Sequence, residues 1–477
     1  MPCLVLFNVA VLDERTEAHL ALCCPAGPRL KMEILAEDEH GASVSAIRWT
    51  LATRIGFRFC FTYLLLFTLM GGRFELLTRS VANVNIPGLR VQWPMRQLTL
   101  WTAAHLFHVP ATLHPTGAGD TAYDWVETFC ILLIAVIATA VWSLFDRHSE
   151  SYVTLHKWFR ISLRFTLAAL MFFYASIKIF PIQMFYPPLA KLVEPYGNFS
   201  PMSVLWFSVG AAPAYEISTG CAELLGGLLL ILPVTTTLGA LVCVADLAMI
   251  FTLNMSYDVA VKLFSFHLLL IALFLVAPDC RRLISFFMTN RPTPPSTQPR
   301  LLRTARANRI ALAVQLTFGL YLAIMNLNTG RQIWYTSGGG SPKPELYGIW
   351  NVDKMTIEGQ LHPLLLTDVQ RWHRMIFELY GDVEIQGMDD SVLNFTSSEK
   401  TGVLDLRDTG PIPQFGYSGR PGLSGSFAMA RPTPDQLTLD GSMGGHPIHA
   451  ELKRVDLRKF TLVNRGFHWI NEYPFWR

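Results

Sequence analysis

The sequence predicts an α-helical transmembrane bundle of about seven spans followed by a C-terminal all-β domain, either a small closed barrel or a sandwich. Three observations carry this. The mean hydropathy is +0.32 with only 16% charged residues, too apolar for ordinary soluble domains over 477 residues. Apolar stretches of membrane length occur at about residues 55 to 72, 126 to 145, 161 to 180, 212 to 232, 236 to 255, 259 to 278 and 309 to 327. Beyond residue 328 such stretches stop, and short alternating runs separated by turn residues replace them.

The chain divides accordingly. Residues 1–51 form an N-terminal segment, 52–160 hold spans one and two around a long loop, and 161–290 hold spans three to six. Residues 291–327 comprise a linker, RPTPPSTQP at 291–299, and span seven; residues 328–477 form the β-rich tail. Arg54 and Arg58 intrude near the start of span one, where long cationic side chains snorkel toward an interface. The opening MPCLVLFNVAVL lacks a basic flank and is followed by Asp13 and Glu14, a poor signal peptide; Met32 is an alternative start that would make residues 1–31 an upstream extension.

Lys and Arg in short loops set orientation. The loop 279–309 carries Arg281, Arg282, Arg291, Arg300, Arg303, Arg306 and Arg309 against Asp279 alone. Arg147, Lys157 and Arg160 after span two, and Arg48, Arg54 and Arg58 before span one, fall on the same side if seven spans are counted. This predicts a cytoplasmic N-terminus and a tail outside the membrane.

The tail opens with SGGGSPKP and continues through GIWNVDKMTIEG, RMIFELYGDVEIQG, SVLNFTS, GVLDLRD, GSFAMARP, QLTLDGSM, HPIHAELKRV and KFTLVNR, read as about eight strands. Gly348, Ile349 and Trp350 look like the GxW opening of lipocalin-type barrels. All eight cysteines lie at or before Cys280, so the tail must be held by its core alone. Cys23 and Cys24 are adjacent, whereas Cys60, Cys130, Cys221 and Cys243 fall singly in apolar segments, as small hydrophobes do. With no CxxC pair, neither an iron–sulfur cluster nor a c-type haem is expected. The net charge of +3 and the absence of a basic aromatic stripe exclude a nucleic-acid partner.

Ionisable groups inside a bilayer are costly and persist where they pair or serve a pathway. Here they are dense: Tyr174 and Lys178 end span three, Glu216 and Glu223 lie in span four, Asp246 and Asn254 in span five, and Asp258, Lys262, Ser265 and His267 open span six. Glu216, Gly220, Glu223 and Gly227 share one helix face, combining acid with close approach. Asp258 stands four residues before Lys262, the favoured order for a helical ion pair. Two readings stay open. Lys178 and Lys262 neutralise Glu216 and Asp258 as structural pairs, or the groups line a polar pocket in which the deeper Glu223, Asp246 and His267 relay protons to a quinone or similar amphiphile. His267 by itself reads as a packing residue.

The loop after span one offers His105, His108 and His114 without further fixed ligands, so no metal is expected. TGAGDT at 116–121 lacks a P-loop lysine and reads as a turn in which Asp120 or Thr121 caps the next helix.

The central block, from YASIKIFPIQM through SPMSVLWFSVGAAPAYEISTGCAELLGGLLLILPVTTTLGAL to NMSYDVAVKLFSFHLLLIALFLVAPDCRRL, resembles the DoxX family of bacterial membrane proteins. The ending RGFHWINEYPFWR looks like that of a larger subgroup with an external C-terminal domain. The resemblance implies a DoxX-like four-helix unit in spans three to six, with Lys178, Glu223 beside Gly226 and Gly227, and Asp258 with Lys262 as matching positions. It implies a multi-pass protein of the bacterial inner membrane with the tail periplasmic or extracellular. Its implied chemistry is that of an oxidoreductase component, with a quinone or a lipid as ligand. The alternative is a non-enzymatic envelope scaffold or receptor whose lipocalin-like tail binds a lipid or an envelope protein.

Overall fold

The computed structural model describes residues 48–70, 86–113, 118–289, 292–293, 301–379, 381–400, 402–412 and 419–476. The N-terminal segment with its alternative start, Cys23, Cys24, His114 and most of the proline-rich linker lie outside the described residues.

Seven helices among the described residues are long and apolar enough to cross a membrane. They are α1 (Leu51–Leu69), α2 (Ala122–Phe145), α3 (Val153–Ile179), α4 (Pro213–Ile231), α5 (Thr236–Ser256), α6 (Lys262–Val276) and α7 (Ala305–Ser337). The chain is therefore a multi-pass membrane protein. Its lipid-facing surface is apolar: Leu132, Leu133, Val136, Ile137 and Val141 on α2 and Ile310, Val314 and Ile324 on α7 are exposed. The core is built on α3, whose Leu163, Leu167, Ala168, Leu170, Met171 and Phe172 are buried against α1, α4, α5, α6 and α7.

Helix starts follow their caps. Thr50 caps α1, Thr304 caps α7, and Thr121 with Asp124 forms a reciprocal capping box on α2. Asp120 instead crosses to α6, accepting the Lys262 and Leu263 backbone N–H groups at 2.7 and 2.9 Å, while the Gly119 N–H donates to the Ala260 carbonyl at 2.7 Å. Of the two residues the sequence offers as caps, Thr121 serves the following helix and Asp120 a distant one.

Three expectations shift. Span six opens at Lys262, because Asp258 sits before the helix in a left-handed conformation at φ 52°. Arg160 belongs within α3, not to the preceding loop, and is buried with its guanidinium on the Leu275 carbonyl and 3.8 Å from Asp279. Arg58 is likewise buried, donating to Ser143 Oγ, the Asp146 carbonyl and the Tyr152 hydroxyl where α2 meets α3.

The tail is an antiparallel up-and-down barrel. Its strands are β1 (Gly348–Ile357), β2 (Gln360–Leu361), β3 (Trp372–Phe377), β4 (Asp382–Gly387), β5 (Val392–Lys400), β6 (Val403–Asp408), β7 (Ser424–Thr433), β8 (Gln436–Met443) and β9 (His446–Arg454). β1 pairs with β3, the strands from β3 to β9 pair in succession, and β1 also pairs with β9 from Trp350↔Arg454 to Ile357↔Ile448, which closes an eight-stranded barrel with β2 as a two-residue hairpin extension on β1. Alternation drives Trp350, Val352, Met355, Met375, Phe377, Phe395, Leu406, Phe427 and Leu439 inward, so the interior is a packed core. The single run RMIFELYGDVEIQG supplies both β3 and β4. KFTLVNR, expected as a strand, instead forms a 3-10 turn at Leu457–Lys459 and one helical turn at Thr461–Asn464. Closure of β9 on β1 leaves no sheet edge there for it to join.

The segment between α3 and α4 docks on the barrel's outer wall. Leu189, Ala190, Leu192 and Val193 pack on Ile349 of β1, Ile376 of β3 and the post-barrel residues Val455, Leu457 and Phe460. Glu378 accepts a hydrogen bond from the Ala190 N–H at 3.2 Å.

Candidate functional site

The centre of the bundle is made by a close approach of α3 and α4. A Cβ on Gly220 would lie 2.9 Å from both the Ile179 nitrogen and Lys178 Cβ, and one on Gly227 would lie 2.5 Å from the Phe172 ring. Glycine at these positions lets the α4 acids reach α3. Gly226 opens the other side, where a Cβ would lie 2.9 Å from Cys243 Sγ on α5.

In that gap Lys178 Nζ and Glu223 Oε1 form an ion pair between side chains that are 7% and 2% exposed. Asp246 of α5 is in electrostatic reach of both. Glu216, one end closer to the barrel, accepts from the Met184 N–H at 2.9 Å and is fully buried. Three carboxylates thus surround one ammonium. Glu223 Oε2, Asp246 Oδ2 and Glu216 Oε2 are buried and have no hydrogen-bond partner among the described residues. Buried polar atoms are ordinarily satisfied, so three open acceptors in one region mark this site.

The remaining candidates fall into separate groups. Lys262 Nζ meets Asp258 at 2.7 Å and Asp120 at 3.7 Å at the barrel-proximal end of α6. Asn254 donates to Ser265 Oγ at 3.0 Å, linking α5 to α6. His267 places Nε2 2.6 Å from the Tyr63 hydroxyl and Nδ1 2.5 Å from the Leu263 carbonyl, with its ring stacked 4.0 Å from that of Phe67. Tyr174, one turn before Lys178, sets its ring 6.1 Å from Phe264. Lys178 pairs with Glu223, not with Glu216 as the structural reading of the sequence had it.

In the loop after α1, His105 bonds the Trp101 carbonyl and stacks on that indole, while His108 adopts a left-handed conformation. Among the described residues no group of three or more His, Cys, Asp or Glu side chains could hold a metal, and the described cysteines are free thiols. Cys243 is buried at the edge of the acidic cluster, a neighbour invisible without the α4 to α5 packing. Two further features escape a sequence reading. Arg164 is buried at the far end of α3, capping the Ile231 carbonyl of α4 and bonding Gln315 of α7, and Glu378 latches the barrel to the loop.

These features define the chain as a multi-pass helical membrane protein carrying a closed C-terminal β-barrel. No family model and no solved structure matches it. It is similar to an uncharacterized protein YwoB of Bacillus subtilis (strain 168), 27% identical over 124 residues that span 24% of this chain and 80% of YwoB.

Proposed function

We propose that this is a DoxX-type protein of the bacterial inner membrane whose helical bundle binds a quinone-like or lipidic molecule beside Lys178, Glu223 and Asp246, as a component of an oxidoreductase system. The observation that carries the reading is the unbalanced cluster: one ammonium against Glu216, Glu223 and Asp246, each with an open acceptor oxygen. Hydroxyl donors on a hydroquinone or a lipid head group would fill those acceptors, and Lys178 would donate to a carbonyl oxygen. Carboxylates so placed are suited to taking up protons from such a ligand. The barrel would stand on the outer face and cover the barrel-proximal end of this site.

The second reading, an envelope scaffold whose tail holds a lipid inside the barrel, meets an interior filled by Trp350, Phe395, Phe427 and their neighbours. A binding role for the tail then belongs to its outer wall.

The test is mass spectrometry of small molecules that copurify with the protein in mild detergent. A quinone or lipid present in wild type and lost in both Glu223→Gln and Asp246→Asn, with each variant still eluting as a monodisperse folded species at the assay temperature, is the expected result. An empty wild type, or one ligand retained equally in both variants, overturns the proposal.

A further inference from the structure

The outer wall of the barrel carries a second feature, independent of the bundle. A partly open cavity of about 200 Å³ lies where the α3 to α4 segment and the post-barrel residues cross β1 and β3, lined by Val193, Ile349, Asn351, Arg374, Val455 and Phe460. Arg374 is its cation. Cross-strand register places Asn351 and Gln386 on either side of it, and the guanidinium donates Nε to Asn351 Oδ1 at 3.1 Å and Nη1 to Gln386 Oε1 at 2.9 Å. Both partners are neutral amides. Gln386 in turn donates to Asp390 at 2.9 Å, and Asp390 acts on the guanidinium electrostatically without forming an ion pair with it. Among the described residues no carboxylate lies within ion-pair distance of Arg374, and Nη2 makes no hydrogen bond. A guanidinium held by two amides and without an ion pair, in a cavity whose other lining residues are mostly apolar, is prepared for an anion whose body is apolar.

We propose that this cavity binds a small apolar monocarboxylate, with Arg374 Nη2 on the carboxylate and Val193, Ile349, Val455 and Phe460 around the hydrocarbon. Size supports the class: an apolar protein cavity of about 150 Å³ accommodates benzene, so this volume suits a ring or short branched chain with one carboxylate attached. A dianionic phosphate is a poorer match, because a single cation flanked by neutral amides leaves its second charge uncompensated. The site joins the barrel to the membrane-embedded part through Val193, so an occupant would bridge the two.

Titration of the full chain in nanodiscs with sodium benzoate, followed by calorimetry, tests this, with benzamide as the neutral probe of equal shape. Benzoate is expected to bind saturably and at least tenfold more tightly than benzamide. Arg374→Gln should reduce benzoate to the benzamide level, and Val193→Trp, which fills the cavity while leaving Arg374 in place, should abolish both. Absence of saturable benzoate binding, equal binding of the two probes, or benzoate affinity unchanged in both variants would each overturn the proposal.

Discussion

The bundle and the barrel solve opposite solvent problems. In the bundle the apolar side chains of α2 and α7 face outward while Lys178, Glu223 and Asp246 turn inward. In the barrel the large apolar residues turn inward, an ion pair such as Lys354 with Glu451 sits exposed, and the buried Arg371 is held by the backbone carbonyls of Val352, His362 and Trp372. The Lys178–Glu223 pair is thus buried and expensive, whereas the Lys354–Glu451 pair is screened by water and cheap. The same kind of ion pair therefore carries different weight in the two halves, and the difference can be measured.

The largest effect is expected at the bundle pair. Glu223→Ala removes the partner of a buried ammonium and should destabilise the folded protein by about 3 to 5 kcal/mol, read as a lower denaturation midpoint in detergent. The double change Lys178→Met with Glu223→Leu removes both charges at similar volume and should recover most of that loss. A single variant as stable as wild type would mean that the pair is solvated and the site open to water. A double variant as unstable as the single would place the cost in packing around Gly220 and Gly227 rather than in charge.

Much of this architecture is legible in the sequence because hydropathy and alternation are local. All seven spans coincide with helices, and the strand runs around Trp350, Phe427 and Leu439 face inward as their period requires. What fails is what depends on packing between distant segments. Glu216 and Glu223 share a face of α4, and only the approach of α3 at Gly220 decides that Lys178 selects Glu223. Asp120 reads as a local cap because its service to Lys262 across 142 residues leaves no local trace. KFTLVNR has strand composition, yet strand composition forms a strand only where an edge is free. Arg374 and Glu378 look like ordinary surface charges until β3 is laid against β1 and the α3 to α4 segment is laid over both.

That latch gives an intermediate effect. Burial pushes the Glu378 carboxyl up to about 7 from its ordinary 4.5, outweighing the backbone N–H groups of Ala190 and Leu189, which favour the charged form. The folded pKa is raised, so the protonated form is the one the docked state prefers. Its stabilisation is complete below about pH 4.5 and is lost as pH rises toward 7, by on the order of 1 to 3 kcal/mol. Glu378→Gln mimics the protonated form. Its stability advantage over wild type should be near zero at pH 4.5 and grow through pH 7, measured as a difference in midpoint at each pH so that other titrations cancel. A difference that stays flat with pH would show that Glu378 is hydrated when the barrel is docked.

The smallest effect is expected at the barrel surface. Lys354 Nζ lies 3.0 Å from Glu451 Oε2, a geometry as close as many strong pairs, but the side chains are 67% and 46% exposed. Water screens the attraction, and holding a long lysine chain in place costs entropy that offsets it. Lys354→Ala should change the midpoint by less than about 1 kcal/mol, with the difference shrinking further at high salt. A loss comparable to that of Glu223→Ala would mean that the barrel face bearing β1 and β9 is covered in the intact protein, because only desolvation could raise an exposed pair to the weight of a buried one.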